Sequence, residues 1–153
     1  MIEALAGELS MAIAELHLAL RRHALRVSGR EPLSDGQLAV LRAVERRPGI
    51  GVGGVAEVTR TAHNTASTLV GTLTDAGLLE RTRDPDNRRC VKLELTDAAR
   101  ERLAQHRALR SGLLLTALRE LDPGARADLA AAVPHLQRLF EGVSLHEGTV
   151  PAR

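Results

Sequence analysis

Residues 77–96 read GLLERTRDPDNRRCVKLELT, and no other segment of the sequence is as informative about the fold. Apolar and polar residues alternate on both sides of its centre, which predicts strands at Leu78–Arg83 and Cys90–Leu95. The segment Asp84–Arg89 between them contains Asp, Pro and Asn, which are typical of turns. We therefore predict a β-hairpin within a chain whose other segments have helical periodicity.

The hairpin is strongly basic. From Arg81 to Lys92 it has five basic residues and two acidic ones, a net charge of +3 against +2 for the whole chain. A loop of this kind suits contact with phosphates and with a minor groove of duplex DNA. A charged tip that only prevents aggregation is the alternative interpretation. The basic residues are Arg81, Arg83, Arg88, Arg89 and Lys92.

A helix is predicted immediately before the hairpin, from Ala62 to Ala76, with Gly77 ending it. One of its faces is apolar, and the other carries short polar side chains with almost no charge. A helix that enters a major groove needs such hydrogen-bonding side chains near its N-terminus. An ordinary solvated face is the alternative, although such faces usually carry more Glu, Lys and Arg. The candidate base contacts are His63, Asn64, Thr65, Ser67 and Thr68.

Helical periodicity and capping signals place the remaining elements. Before the hairpin, helices are predicted at Ile2–Val27 and from a start capped by Ser34 with Gln37. We expect Gly51, Gly53 and Gly54 to loosen the chain, so that Val55–Val58 forms a short helix at most. After the hairpin, helices are predicted from Thr96–Asp97 to Leu121 and from Asp122–Pro123 through Phe140. Pro134 falls inside the last helix and predicts a kink. Residues 144–153 have no periodicity, and we expect a disordered tail there.

Composition narrows the class of protein. The 153 residues are 44% hydrophobic and 26% charged, as in globular domains. Phe140 is the sole aromatic residue, which argues against binding single strands by base stacking. Cys90 is the single cysteine and cannot form an internal disulfide. With no long apolar stretch and no basic leader, we expect a cytoplasmic protein that does not enter the membrane.

The run from Gly77 to Thr96 resembles the wing signature of MarR-type regulators, most specifically in the Arg-Arg pair followed by Val-x-Leu-x-Leu-Thr. The order of the helices fits as well, so the resemblance covers nearly the whole chain. It implies a mainly α (α+β) fold: a winged helix-turn-helix DNA-binding domain at 33–96 and a helical dimerisation region at 1–32 and 97–143. It also implies that Arg88 enters a minor groove and that Arg89 braces the wing.

Three positions depart from the family pattern. Asn87 stands where the family normally has Asp, so the charged pair that this Asp provides is missing from that position. Thr59 and Arg60 stand where the family usually has Leu and Gly. These departures concern the local geometry of the wing and of the first motif helix.

The sequence gives weaker indications of a small-ligand site or a metal site than of a DNA-binding site. His17 and His23 lie near where family members often bind small ligands, although surface histidines would look the same. The six histidines are dispersed, so neither a metal site nor a cofactor is predicted. Cys90 as a redox sensor is the less favoured interpretation, because the family's peroxide-sensing members place their reactive Cys in the first helix. We expect Cys90 to be a small apolar strand residue.

No phosphate-binding glycine loop, nucleophile elbow or Cys-His pairing is recognisable, so we do not expect an enzyme. The sequence favours a transcriptional regulator that binds double-stranded DNA sequence-specifically. It would act as a ligand-responsive repressor and as a homodimer on a pseudo-palindromic operator. The alternatives are a winged-helix protein-interaction module and a non-specific DNA-binding protein.

Overall fold

The computed structural model describes residues 1–28, 32–83 and 91–146. These parts of the chain form helices and one two-stranded antiparallel sheet. In chain order the elements are α1 (Ile2–Ser28), α2 (Asp35–Arg46), α3 (Val52–Thr59), α4 (His63–Asp75), β1 (Leu79–Arg83), β2 (Val91–Leu95), α5 (Asp97–Glu120) and α6 (Pro123–His146). The predicted fold class and the predicted order of elements are confirmed.

The chain divides into two compact units, Met1–Ser111 and Gly112–Arg153. The first unit holds α1 to α4, the hairpin and the first part of α5, and the second holds the rest of α5 and α6. All residues discussed below as a candidate site belong to the first unit.

Helix starts follow the capping signals of the sequence. The Ser34 hydroxyl accepts a hydrogen bond from the Gln37 N–H at 3.2 Å, and the Gln37 side chain accepts one from the Ser34 N–H at 2.9 Å. This is the predicted capping box of α2. The Asp122 carboxylate caps α6, accepting from the third helical N–H at 3.0 Å, and Pro123 occupies the first helical position.

The end of α4, the base of the hairpin and the start of α5 meet at Thr96. The Thr96 hydroxyl donates to the Gly77 carbonyl at 2.8 Å and accepts from the Ala99 N–H at 3.2 Å. The Thr96 N–H donates to the Leu78 carbonyl at 3.3 Å. Gly77 has a φ of +67°, the left-handed conformation that ends α4 in a Schellman motif, in which the Leu78 N–H bonds back to the Leu73 carbonyl.

A single apolar core joins α2, α3, α4, the hairpin and the beginning of α5. No polar or charged residue among those described is buried. Burial alternates over the last three residues of β2, where Leu93 and Leu95 face the core and Glu94 between them is exposed. The core residues are Leu38, Val40, Leu41, Val44, Val55, Ala66, Val70, Leu73, Leu78, Leu79, Leu93, Leu95, Ala99 and Leu103.

Helix α3 begins at Val52, earlier than we expected from its glycines. Gly53 and Gly54 therefore lie inside the helix, and the expectation that they loosen the chain before it is wrong. The reason at Gly54 is packing. A Cβ there would lie 2.7 Å from Cγ1 of Ile50, whose side chain packs against the core. Glycine at this position lets the helix approach the preceding loop.

Helix α6 contains Pro134 and continues to His146. The backbone at 144–146 is thus helical, although the sequence lacks periodicity there and we expected the tail to begin at Ser144. A helix that has already formed can extend by adding backbone hydrogen bonds one residue at a time, without an apolar face to bury.

Candidate nucleic-acid interface

Helices α3 and α4 form a helix-turn-helix joined by the turn at residues 60–62. Arg60 ends α3 with φ 52° and ψ 41°, in the left-handed region, and its N–H bonds to carbonyls of the last turn of α3. The Thr59 hydroxyl donates to the Val55 carbonyl at 2.7 Å and shares a hydrogen bond of 2.9 Å with the Thr61 hydroxyl. These contacts fix the direction in which α4 leaves α3.

The two faces of α4 have opposite roles. Ala66, Val70 and Leu73 are fully buried and fasten the helix to the core. The opposite face is exposed and carries Asn64, Ser67 and Thr68, as the helical spacing predicts. The other two predicted base-contact residues, His63 and Thr65, are exposed in the first turn of α4, so all five residues face solvent at the N-terminal part of the helix.

Most of the hydrogen-bonding capacity on this surface is unused. The Thr68 hydroxyl donates to the Asn64 carbonyl at 2.9 Å, which leaves its lone pairs as acceptors. The side chains of His63, Asn64, Thr65 and Ser67 have no hydrogen-bond partner among the described residues. The N-cap of α4, Ala62, has no side chain that could cap the first turn. This end of α4 therefore presents donors and acceptors to solvent.

In the hairpin, the structure describes the side chains of two of the five basic residues that were predicted to contact DNA. Arg81 in β1 is exposed and stands opposite Leu93, and Thr82 stands opposite Lys92. Lys92 is only half-buried, and its side-chain stem lies beside Gly49, where a Cβ would be 3.7 Å from Lys92 Cδ. The Arg83 side chain, Arg88 and Arg89 lie outside the described residues, as do Asn87 and Cys90.

The hairpin base is anchored to the loop before α3. The Gly49 N–H donates to the Leu93 carbonyl at 3.0 Å, and the Leu93 N–H donates to the Ile50 carbonyl at 3.1 Å. Gly49 has a φ of +83°, which a residue with a side chain rarely adopts. The loop thus pairs with β2 and holds the wing beside the helix-turn-helix.

A groove of about 960 Å³ lies between α1, the start of α2, the second half of α4 and α5. Two guanidinium groups and several apolar side chains line it together. The lining residues are Arg21, Leu25, Pro32, Leu33, Ser34, Gln37, Thr72, Leu73, Ala76, Leu78 and Arg102. Neither His17 nor His23 is among them. Sequence reasoning missed Arg21 and Arg102 because they are far apart in the chain and meet only through packing.

His17 borders a much smaller cavity, of about 30 Å³, together with Leu20, Asp35 and His106. Its Nε2 lies 3.5 Å from a carboxylate oxygen of Asp35. Nδ1 of His106 is buried without a hydrogen-bond partner among the described residues. Burial lowers the pKa of His106 below 6.5, and the nearby cations, with Arg110 the most effective, lower it further.

The described parts of the chain hold no group of three or more His, Cys, Asp or Glu side chains arranged to bind a metal ion. Within the same residues, no helix is both long and apolar enough to cross a membrane.

A helix-turn-helix followed by a β-hairpin, packed on one core, defines a winged helix-turn-helix protein. The sequence model of the MarR family matches residues 31–89. The solved structure of a proposed transcriptional regulator from Pseudomonas aeruginosa PA01 is 32% identical, covers 90% of this chain and 94% of its own, and has a TM-score of 0.77. The chain belongs to the MarR family and has the fold of its transcriptional regulators.

More distant structures share the fold. FabT from Streptococcus pneumoniae, solved in complex with DNA, is 19% identical over 92% of this chain and 98% of its own, with a TM-score of 0.73. A mutant of S. aureus MepR bound to an oligodeoxyribonucleotide is 14% identical over 89% of this chain and 97% of its own, with a TM-score of 0.66. Among curated protein sequences, none matches this chain significantly.

Proposed function

We propose that this protein is a sequence-specific DNA-binding transcriptional repressor that acts as a homodimer on a pseudo-palindromic operator. The observation that carries the proposal is the exposed face of α4, where most of the short polar side chains have no hydrogen-bond partner among the described residues. Such side chains read base edges by hydrogen bonding, and without bulky neighbours they allow the helix to approach the floor of a major groove.

Affinity and specificity then come from different elements. The face of α4 supplies base contacts and almost no charge, while the basic residues of the hairpin supply phosphate contacts. The family resemblance assigns minor-groove insertion to Arg88 and bracing of the wing to Arg89. Arg81, Arg83 and Lys92 complete the proposed DNA-binding set.

The homodimer is supported by the apolar surface of α1. Of the side chains at positions 1–18 only Leu9 is partly buried, and the rest are exposed. Ile2 is 80% exposed and Met11 is 66% exposed, which is unfavourable for a helix in water. A second copy of the chain would cover this stripe. Its large exposed members are Ile2, Leu5, Met11, Ile13, Leu16 and Leu18.

The second compact unit, taken by itself, also exposes apolar side chains at helical spacing. They are Leu114, Leu115, Leu118, Leu121, Leu129, Val133, Leu139, Phe140 and Val143. We propose that residues 1–32 and 97–143 form the dimerisation region and that residues 33–96 form the DNA-binding domain. Two recognition helices related by a twofold axis would then reach half-sites about 10 base pairs apart.

Ligand response is supported by the groove beside α4. Its Arg21 and Arg102 suit an anionic group, and Leu25 and Leu33 suit an apolar body. A small molecule bound there would contact the second half of α4. It releases DNA only if it binds the DNA-free arrangement more tightly than the DNA-bound one. His17 and His23 stay predictions for this role.

Selection of bound sequences from a random duplex pool, followed by affinity measurements over a salt series, tests the proposal. We expect a palindromic motif and a steep loss of affinity with salt. Arg88→Ala should weaken binding to all duplexes and flatten the salt dependence, whereas Asn64→Ala should relax the preference at one position in each half-site. Equal binding to every duplex would indicate a non-specific DNA-binding protein, and no duplex binding would favour a protein-interaction module.

A further inference from the structure

The two helices of the helix-turn-helix end in the same backbone conformation but with different residues. Helix α4 ends with Gly77 at φ +67°, as is common for left-handed helix ends. Helix α3 ends with Arg60 at φ 52°, the one non-glycine residue with positive φ in the described parts of the chain. Arginine has a Cβ that this conformation crowds. The backbone therefore gives no reason for an arginine at this position.

The Arg60 side chain also makes no contact that would stabilise the described part of the fold. It is exposed, and it forms no hydrogen bond or ion pair with any described residue. Glu57, three residues earlier in α3, is exposed as well and is not paired with it. Among the described residues, neither packing nor charge neutralisation explains why a cation stands in the turn.

The position of Arg60 gives it a distinct electrostatic role. It is the only Lys or Arg from Gly51 to Glu80, a segment that holds all of α3 and α4. In helix-turn-helix proteins the first motif helix crosses the DNA backbone while the second lies in the major groove. The turn that joins them therefore lies at the edge of the groove, where phosphates pass.

We infer that Arg60 contacts a DNA phosphate at the edge of the major groove, beside the bases read by α4. This inference rests on the DNA-binding function proposed above. The guanidinium group would supply charge-assisted hydrogen bonds to phosphate oxygens, and it would fix the register of α4 on the duplex. It would be the single cationic phosphate contact made by the helix-turn-helix itself, in addition to those of the wing.

Four variants of the full chain distinguish the effect of the Arg60 guanidinium group on DNA binding from the effect of its backbone conformation. Arg60→Ala and Arg60→Gly both remove the guanidinium group, but only the glycine relieves the crowding at positive φ. Arg60→Lys keeps the charge and loses the planar fork. Arg46→Ala, in the last turn of α2, removes one exposed arginine that lies outside the helix-turn-helix, the proposed DNA contacts and the proposed dimerisation region. Each variant is melted thermally and titrated with the selected operator duplex over a salt series.

We expect Arg60→Gly to melt higher than Arg60→Ala, by about 2–4 °C. Both variants should bind the operator roughly tenfold more weakly, and the salt slope should fall by about 0.9 for each phosphate that the protein no longer neutralises. Arg60→Lys should keep most of the salt slope and lose part of the affinity. Arg46→Ala should retain the wild-type slope.

Unchanged affinity and slope in both Arg60→Ala and Arg60→Gly would overturn the inference, while operator binding by the wild type would leave the proposed function intact. A loss of affinity in Arg60→Ala that Arg60→Gly restores would also overturn it, because binding would then follow the backbone. If the wild-type chain bound no duplex, the proposed function and this inference would fail together.

Discussion

Gly53 and Gly54 are neighbours in α3, but an added methyl group would meet different surroundings at the two positions. A Cβ at Gly53 has no atom within 4 Å, and the residue is exposed. A Cβ at Gly54 would lie 2.7 Å from Cγ1 and 3.1 Å from Cδ1 of Ile50. Alanine favours a helix over glycine by about 1 kcal/mol, and this gain applies equally to both positions.

Ile50 cannot move aside easily. Its side chain packs against the core, its N–H donates to the Arg47 carbonyl at 3.1 Å, and its carbonyl accepts from the Leu93 N–H at 3.1 Å. Overpacking against such a neighbour costs about 1–3 kcal/mol. We therefore expect Gly53→Ala to stabilise the fold by about 0.5–1 kcal/mol. Gly54→Ala should lie between no change and a loss of about 2 kcal/mol.

The difference in the free energy of unfolding between the two variants is predicted more precisely than either value, because the helix-propensity gain is common to both and cancels. It should be about 1–3 kcal/mol, which corresponds to roughly 2–12 °C in melting temperature for a chain of this size. Thermal and urea unfolding of the two variants, side by side with the wild type, measure it. Equal stabilisation by both substitutions would refute the packing argument for Gly54.

A double-mutant cycle identifies the contact responsible. In an Ile50→Ala background the clashing atoms are gone, so Gly54→Ala should then stabilise as Gly53→Ala does. The coupling free energy should be about 1–3 kcal/mol. A coupling near zero would place the cost of Gly54→Ala elsewhere in α3.

Three further predictions concern the same compact unit. Ser34→Ala, which removes the capping box of α2, should cost about 1 kcal/mol in urea unfolding, and Ser34→Thr should cost less. Leu73→Ala, at a fully buried position, should cost about 2–5 kcal/mol. The lowered pKa of His106 means that the unfolded chain binds its proton more readily, so stability is full above pH 6.5 and falls as the pH drops below it. The melting temperature should therefore decrease between about pH 7.5 and pH 5.5, and His106→Gln should decrease less; an equal decrease would contradict this role.

Features encoded within a few neighbouring residues could be predicted from the sequence. Ser34 with Gln37, and Asp122 with Pro123, define helix starts by contacts within one turn, and both starts are confirmed. The exposed face of α4 follows from helical spacing alone. Its residues were therefore expected to share one surface, which they do.

Features that depend on distant neighbours could not be predicted. Glycine at 54 looks like a helix breaker until Ile50 is seen to be held by β2, which begins forty-one residues after that isoleucine. Arg21 and Arg102 come together only because α1 and α5 pack beside the same groove. The sequence shows Arg60 as a departure from the family pattern, but only the structure shows its left-handed backbone and that its side chain has no partner among the described residues.

The hydroxyl of Thr96 has a mechanical consequence. By bonding to the carbonyl of Gly77 and to the first turn of α5, it couples the exit of α4 directly to the entry of α5. The bond between the Thr96 N–H and the Leu78 carbonyl adds the root of the hairpin to the same joint. The end of α4 and the root of the hairpin are therefore both held to the start of α5 by one residue. Under the function proposed above, a displacement of the start of α5 would move both elements together, and an effector would weaken DNA binding by reorienting them jointly.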